Sequence, residues 1–191
     1  MSSVPDTTGG EAGRDRVVPG PFQIRTGSPG DAPLVLEMFD AAVRWLVARG
    51  LTEQWGTEPF SSDPKRVAAA AGWASGGGLR ICETAGRPVA AMVLGDAPPY
   101  VPQATEPEVY VVALVTSRTP EARGAGRALL DTAEHEARAQ GVRLLRVDCF
   151  AGNDGALVRL YESAGYEPVA PFLVGEWPGQ LLRRRLAPEP R

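Results

Sequence analysis

The chain has 191 residues, a net charge of −3 and 43% apolar residues, the profile of a soluble globular protein with enough chain to bury a core. That charge gives no general pull toward nucleic acid or an anionic membrane surface, so neither is an expected partner. Two distant cysteines, Cys82 and Cys149, and one histidine, His135, give no disulfide framework, no zinc spacing and no metal site, and they suit a reducing cytoplasm.

Residues 1–20, "MSSVPDTTGGEAGRDRVVPG", are small, polar and rich in Gly and Pro. They lack the apolar middle of a signal peptide and are expected to form a disordered leader. The remainder, 21–191, is expected to form one domain. No apolar run reaches the ~20 residues of a membrane span.

"PFQIRTG" alternates as a short first strand. Leu34, Met38, Ala42 and Leu46, with Val35, Phe39, Val43 and Val47, recur at helical spacing. Ser28 or Asp31 can cap this helix and Gly50 can end it. The loop "LTEQWGTEPFSS" follows, then a second helix opened by Asp63-Pro64. Leu79 to Thr84 and Pro88 to Leu94 read as a hairpin around Gly86-Arg87. After a proline-rich loop, Val109 to Ser117 is a nearly continuous apolar run, the mark of a central strand covered on both faces. A helix then runs to about Gln140, Val142 to Phe150 is a second central strand, "DGALVRLYESAGY" is a helix ended by Gly165, and "FLVGEWPGQLLRRRL" supplies a last strand or two. The order predicts a single α/β domain, a central mixed β-sheet flanked by helices.

The stretch from Ala122 to Arg127, "ARGAGR", joins a central strand to a helix. The first turn of a helix has unpaired N–H groups and a partial positive charge, which favour phosphate. Glycines at 124 and 126 permit positive φ and close approach, and Arg123 and Arg127 add charged donors. A tight packing turn would look the same. The third glycine of a dinucleotide fingerprint is missing, because position 129 is Leu129, and no Walker GKS or GKT occurs.

A second block downstream, "LLRVDCFAGNDGALVRLYESAGYEPV", sharpens this. The ordered pair resembles the GNAT acetyltransferase superfamily over about Pro21 to Leu186. The resemblance implies an N-acetyltransferase using acetyl-CoA as co-substrate, with a primary amine, most simply of a small molecule, as acceptor. It implies a turn of Ala122, Arg123, Gly124, Ala125, Gly126 and Arg127 around the pyrophosphate, and strand backbone at Leu114, Val115 and Thr116 pairing with pantetheine. It gives Asn153 a place beside the cofactor and Tyr161 the role of protonating the departing thiolate. It also suggests a homodimer through the last strands. Glu121 departs from the family pattern, standing where Gln or Arg is usual, and is expected to turn to solvent. The Asn153–Tyr161 spacing is one residue longer than usual, so Asp154 is an alternative to Asn153. A non-catalytic acyl-CoA-binding module is the rival reading.

Glu108 and Asp148 are the two candidates for general base. Glu108 opens the central strand and shares a face with Tyr110, Val112 and Leu114. A carboxylate at Asp148, amid "RVDCF", must be paired or have a raised pKa; pairing with Arg146 or Arg143 would make it structural. Trp45, Gln54 and Trp55 suit an acceptor pocket wall, although Trp45 equally suits core packing. Trp177 and Gln180 lie near the last strands, Arg183 to Arg185 read as a solvated strand end, and His135 as exposed.

Overall fold

The computed structural model describes residues 22–188; the expected leader lies outside the described residues. The chain opens with β1 (Gln23–Thr26) and a helix pair, α1 (Ala32–Val47) and α2 (Pro64–Ser75), then β2 (Leu79–Thr84), β3 (Arg87–Gly95) and β4 (Glu108–Thr116). It continues with α3 (Ala125–Ala139), β5 (Leu144–Phe150), α4 (Ala156–Ser163), β6 (Glu167–Val174) and β7 (Trp177–Arg185). The last segment is thus two strands, the first starting five residues before Phe172.

The local signals explain most boundaries. Asp63 accepts the Lys65 N–H at 2.8 Å and Pro64 fills the first helical position of α2, the arrangement that helix starts favour. At α1, Ser28 and Asp31 act together instead of as alternatives. The Asp31 carboxylate accepts the Ser28 N–H and hydroxyl, and the Arg25 guanidinium grips both its oxygens at 2.7 and 3.0 Å. These contacts hold the Asp31 carboxyl well below the usual carboxylate range, the Arg25 hydrogen bond being the largest cause. They also tie the start of α1 to β1.

The seven strands form one mixed sheet in the order β1-β2-β3-β4-β5-β7-β6. Strand neighbours are antiparallel except β4 and β5, which run parallel. One face is covered by α3 and α4, whose Ala125, Leu129, Ala133 and Ala137 are fully buried with Met92, Leu145 and Leu182. Small side chains at four-residue intervals let α3 lie close on the sheet. The opposite face is covered by α1 and α2, with Val35, Phe39, Val43 and Phe60 on Ile81, Ala91 and Val115.

Pairing between β4 and β5 covers Glu108 to Val111 against Leu144 to Val147 and goes no further. The stop coincides with a bulge on the other side of β4. Val93 pairs with Ala113 and Leu94 with Val111, which leaves Val112 as an extra residue. A bulge bends its strand and increases its twist. It also resets the alternation. Val111 faces the α3 side, whereas Val115, four residues on, faces α1 and α2. The expected shared face of Glu108, Tyr110, Val112 and Leu114 therefore breaks at Val112, and Leu114 packs on the opposite side from Tyr110.

At the paired end of the two strands, Arg146 of β5 grips both carboxylate oxygens of Glu108, with the second nitrogen at 2.7 Å, and donates to the Pro102 carbonyl at 2.8 Å. The side chains are 7% and 17% exposed, so each charge depends on the other. Glu108→Ala, which strands the buried guanidinium, is expected to cost about 3–5 kcal/mol. Asp131→Ala, which breaks the exposed Arg127–Asp131 pair, should cost under about 1 kcal/mol. Equilibrium urea unfolding of the two variants checks the contrast.

Candidate active site

Beyond Val111 the two parallel strands separate, and the gap is the core of a cavity of about 580 Å³. Leu114, Val115 and Thr116 line it from β4, and Val147, Asp148, Cys149 and Phe150 from β5. Four consecutive residues of one strand point alternately to both faces, so the cavity passes through the sheet. The β4 backbone groups that point away from β3 have no strand beside them here. They are free to pair with an extended ligand laid in the gap.

On the α3 side the cavity ends at the glycine turn. Gly124 is the residue before α3 and has φ 90°, a conformation that side chains disfavour. Gly126 serves a different end: a Cβ there would stand 3.3 Å from the Thr116 methyl, so its absence lets α3 approach the end of β4. No side chain caps the first N–H groups of α3, which leaves them available to an anion. Arg123 is exposed, lines the cavity and has no ion-pair partner among the described residues. Arg127 also lines it but is engaged by Asp131 at 2.8 Å and the Ser163 carbonyl at 3.2 Å. Glu121 is exposed and outside the lining, its carboxyl lowered by its own backbone N–H, the Thr119 hydroxyl and Arg87. Ala122 reaches the cavity, but Ala125, the first residue of α3, is fully buried in the core between α3 and the sheet.

Tyr161 projects from α4 into the same space. Its ring is 6% exposed and packs edge-on to Tyr166 at 5.8 Å. Its hydroxyl has no hydrogen-bond partner among the described residues. Burial pushes it above the ordinary tyrosine value, so it stays protonated.

On the α1 side stands Asp148. Tyr110 donates to its Oδ1 and Tyr100 approaches Oδ2 at 3.4 Å. Neither Arg146 nor Arg143 pairs with it; Arg146 is taken by Glu108. Burial raises the Asp148 carboxyl, opposed by the two tyrosine hydrogen bonds. The pairing of Tyr110 with Arg146 in the ladder puts Asp148 one step beyond Val111, where the strands part.

Aromatic walls close this half. Phe39 stacks on Phe60 at 4.6 Å and meets Trp55 edge-on at 5.4 Å. Across the gap Phe150 lies 5.8 Å from Trp177. The Trp177 indole N–H donates to the Gln54 carbonyl at 2.9 Å, joining the loop after α1 to the β6–β7 turn.

The structure therefore gathers Tyr161, Asp148, Gln54, Trp55 and most of the glycine turn, and leaves Glu108, Trp45 and Asn153, as well as Ala125, outside. Glu108 is locked to Arg146 away from the cavity. Trp45 is stacked between Arg49 at 4.1 Å and Arg118 at 4.3 Å and does not line the cavity, although Arg118 does. Asn153 sits in a turn before α4, where it and Asp154 both have positive φ, and neither reaches the lining. Tyr100 and Tyr110 were not singled out as site residues. The one available signal was the alternation that set Tyr110 beside Glu108 on β4. Among the described residues no cluster of three or more His, Cys, Asp or Glu side chains is placed to hold a metal, and no helix is long and apolar enough to cross a membrane.

The fold recurs in solved acetyltransferases. A GNAT-family acetyltransferase from Listeria monocytogenes is 24% identical, with a TM-score of 0.66 over 86% of this chain and 95% of that one. A ribosomal-protein-alanine N-acetyltransferase from Brucella melitensis is 20% identical, with a TM-score of 0.61 over 86% and 99%. A protein from Salmonella typhimurium, solved with its cofactor acetyl-CoA, is 20% identical, with a TM-score of 0.59 over 88% and 95%. No curated protein matches the chain. The model of the acetyltransferase (GNAT) family matches residues 38–166, from within α1 to the end of the α4 turn. With that match spanning both blocks and the parted strands between them, the chain belongs to the GNAT acetyltransferase family.

Proposed function

We propose that the protein transfers the acetyl group of acetyl-CoA to a primary amine of a small molecule, by direct attack while both substrates are bound. The observation that carries this reading is the single cavity that passes between β4 and β5, with Tyr161 on one side of the sheet and Asp148 on the other. Acetyl-CoA supplies an activated acyl group as a thioester. The uncapped start of α3 and Arg123 would hold its pyrophosphate, and the open backbone of Leu114 to Thr116 its pantetheine arm.

The protein's own part is positioning and proton handling. An amine arrives as an ammonium and must lose a proton before it attacks. Asp148 is the carboxylate within the cavity, and its raised pKa makes it a stronger base than an exposed aspartate. Tyr161 carries the only cavity hydroxyl proposed for the opposite task, donation to the departing sulfur. The same apolar surroundings raise a thiol and a phenol alike, so the two remain matched. A covalent acyl-enzyme finds no support: Cys149 is buried, its thiol pushed up to about 12 by burial, and His135 is exposed on α3. The Trp177–Gln54 hydrogen bond joins two lining residues from separate parts of the chain, and a wall tied in this way favours a small acceptor over a peptide.

Tyr161→Phe is expected to lower kcat by about 10²- to 10⁴-fold while leaving acetyl-CoA affinity, read by calorimetry, nearly unchanged. Weakened affinity with normal turnover contradicts the role. Binding of acetyl-CoA with no thiol release on any amine would instead indicate a binding module. The ionised form of Asp148 is the base, so kcat at saturating acceptor should fall as pH drops through its raised pKa, above the ordinary ~3.9. Asp148→Asn should remove that acidic limb along with most of the rate, and should not lower the melting temperature at neutral pH, because it relieves a buried charge. For the donor end, Arg123→Ala should weaken acetyl-CoA binding, whereas Glu121→Gln should leave it unchanged or strengthen it. Calorimetric titration of both variants checks this.

A further inference from the structure

The half of the cavity that faces α1 and α2 is aromatic, and its charges are Asp148 and, over Trp45 of α1, Arg118. Phe39, Trp55, Phe60 and Trp73 form one wall, with ring centroids 4.6 to 6.0 Å apart. Phe150, Trp177 and Tyr100 face them from the strands and the β3–β4 loop. Among the described residues that line the cavity, Asp148 is the sole carboxylate, whereas Arg118, Arg123 and Arg127 supply three cations. Arg66 already covers one face of Phe60 at 4.1 Å. The Trp177–Gln54 bridge ties the two walls together.

This distribution limits the acceptor. Asp148 can neutralise one ammonium. A second or third ammonium, as in a polyamine or an aminoglycoside, would find no other carboxylate inside and would meet the arginines at the rim. Burying an uncompensated charge is costly. A polar peptide would set its amides against indole and phenyl faces. An aromatic body gains from edge-to-face and stacked contacts with both walls as well as from burial itself.

Resting on the acetyl-transfer reading above, we infer that the acceptor is a primary monoamine carried on an apolar aromatic body, the amine directed to Asp148 and the ring held between the Trp55 and Trp177 walls. The charge pattern sets its specificity: one acid for one ammonium, and no second carboxylate among the described lining residues.

The test compares 2-phenylethylamine, spermidine and an alanine-ended tripeptide as acceptors, with thiol release from acetyl-CoA as the readout. kcat/KM should be at least about ten-fold higher for 2-phenylethylamine than for either of the others, the factor corresponding to about 1.4 kcal/mol. Equal or faster turnover of spermidine or the peptide overturns the inference and leaves acetyl transfer intact. Titration of the same amines into the protein–CoA complex, followed by tryptophan fluorescence, separates the two readings. Tighter binding of 2-phenylethylamine without thiol release on any amine would sink the transferase reading and keep the aromatic site; tighter binding of spermidine would sink the site. Trp55→Ala should lower kcat/KM for 2-phenylethylamine at least about five-fold more than it lowers that for ethylamine. An equal loss for both amines would reduce Trp55 to a structural role and count against the proposal.

Discussion

The incomplete pairing of β4 with β5 is the constraint from which the rest follows. Four residue pairs, Glu108–Leu144 to Val111–Val147, hold the two parallel strands together. The Arg146–Glu108 ion pair clamps the same end. One residue later the Val112 bulge bends β4, and the sheet opens. A ladder clamped at one end and bent at the other gives a wedge with a fixed apex. Asp148, Cys149 and the free backbone of Leu114 to Thr116 are all set by where that apex lies.

The wedge also divides the chemistry. Tyr161 comes from the α4 side and Asp148 faces the α1 side, so a proton donor and a proton acceptor of the same cavity never share a hydrogen bond. Burial shifts both upward and so favours the protonated form of each. The phenol is kept protonated and the carboxyl is made more basic. Charge is graded along the cavity as well, from arginines at the glycine turn to a lone carboxylate among rings.

The fold was legible because its signals are local. The periodicity of α1, the Asp63-Pro64 start of α2 and the apolar runs of β4 and β5 each reflect a rule that acts within a few residues. The glycine turn could be located in the same way, although the separate duties of Gly124 and Gly126 became clear only with Thr116 in place. Long-range partners were not legible. Nothing in the neighbourhood of Glu108 announces Arg146, 38 residues away, and that pairing is what removes Glu108 from the site. Nor does the sequence around Tyr100 show that the β3–β4 loop folds back over Asp148. The bulge was equally hidden, since "VYVVALV" reads as an unbroken strand and the extra residue exists only relative to β3. Trp45 was ambiguous for a related reason: whether an indole on a helix faces a pocket or a guanidinium depends on Arg118, which arrives from another element.

The Val112 bulge carries a consequence on an evolutionary scale. A regular β4 would keep its ladder with β5 past Val111 and leave nowhere for a ligand to lie. The difference between that closed sheet and the open one is the offset of a single residue against β3. One in-frame codon gained or lost in this strand separates a structural sheet from a ligand slot.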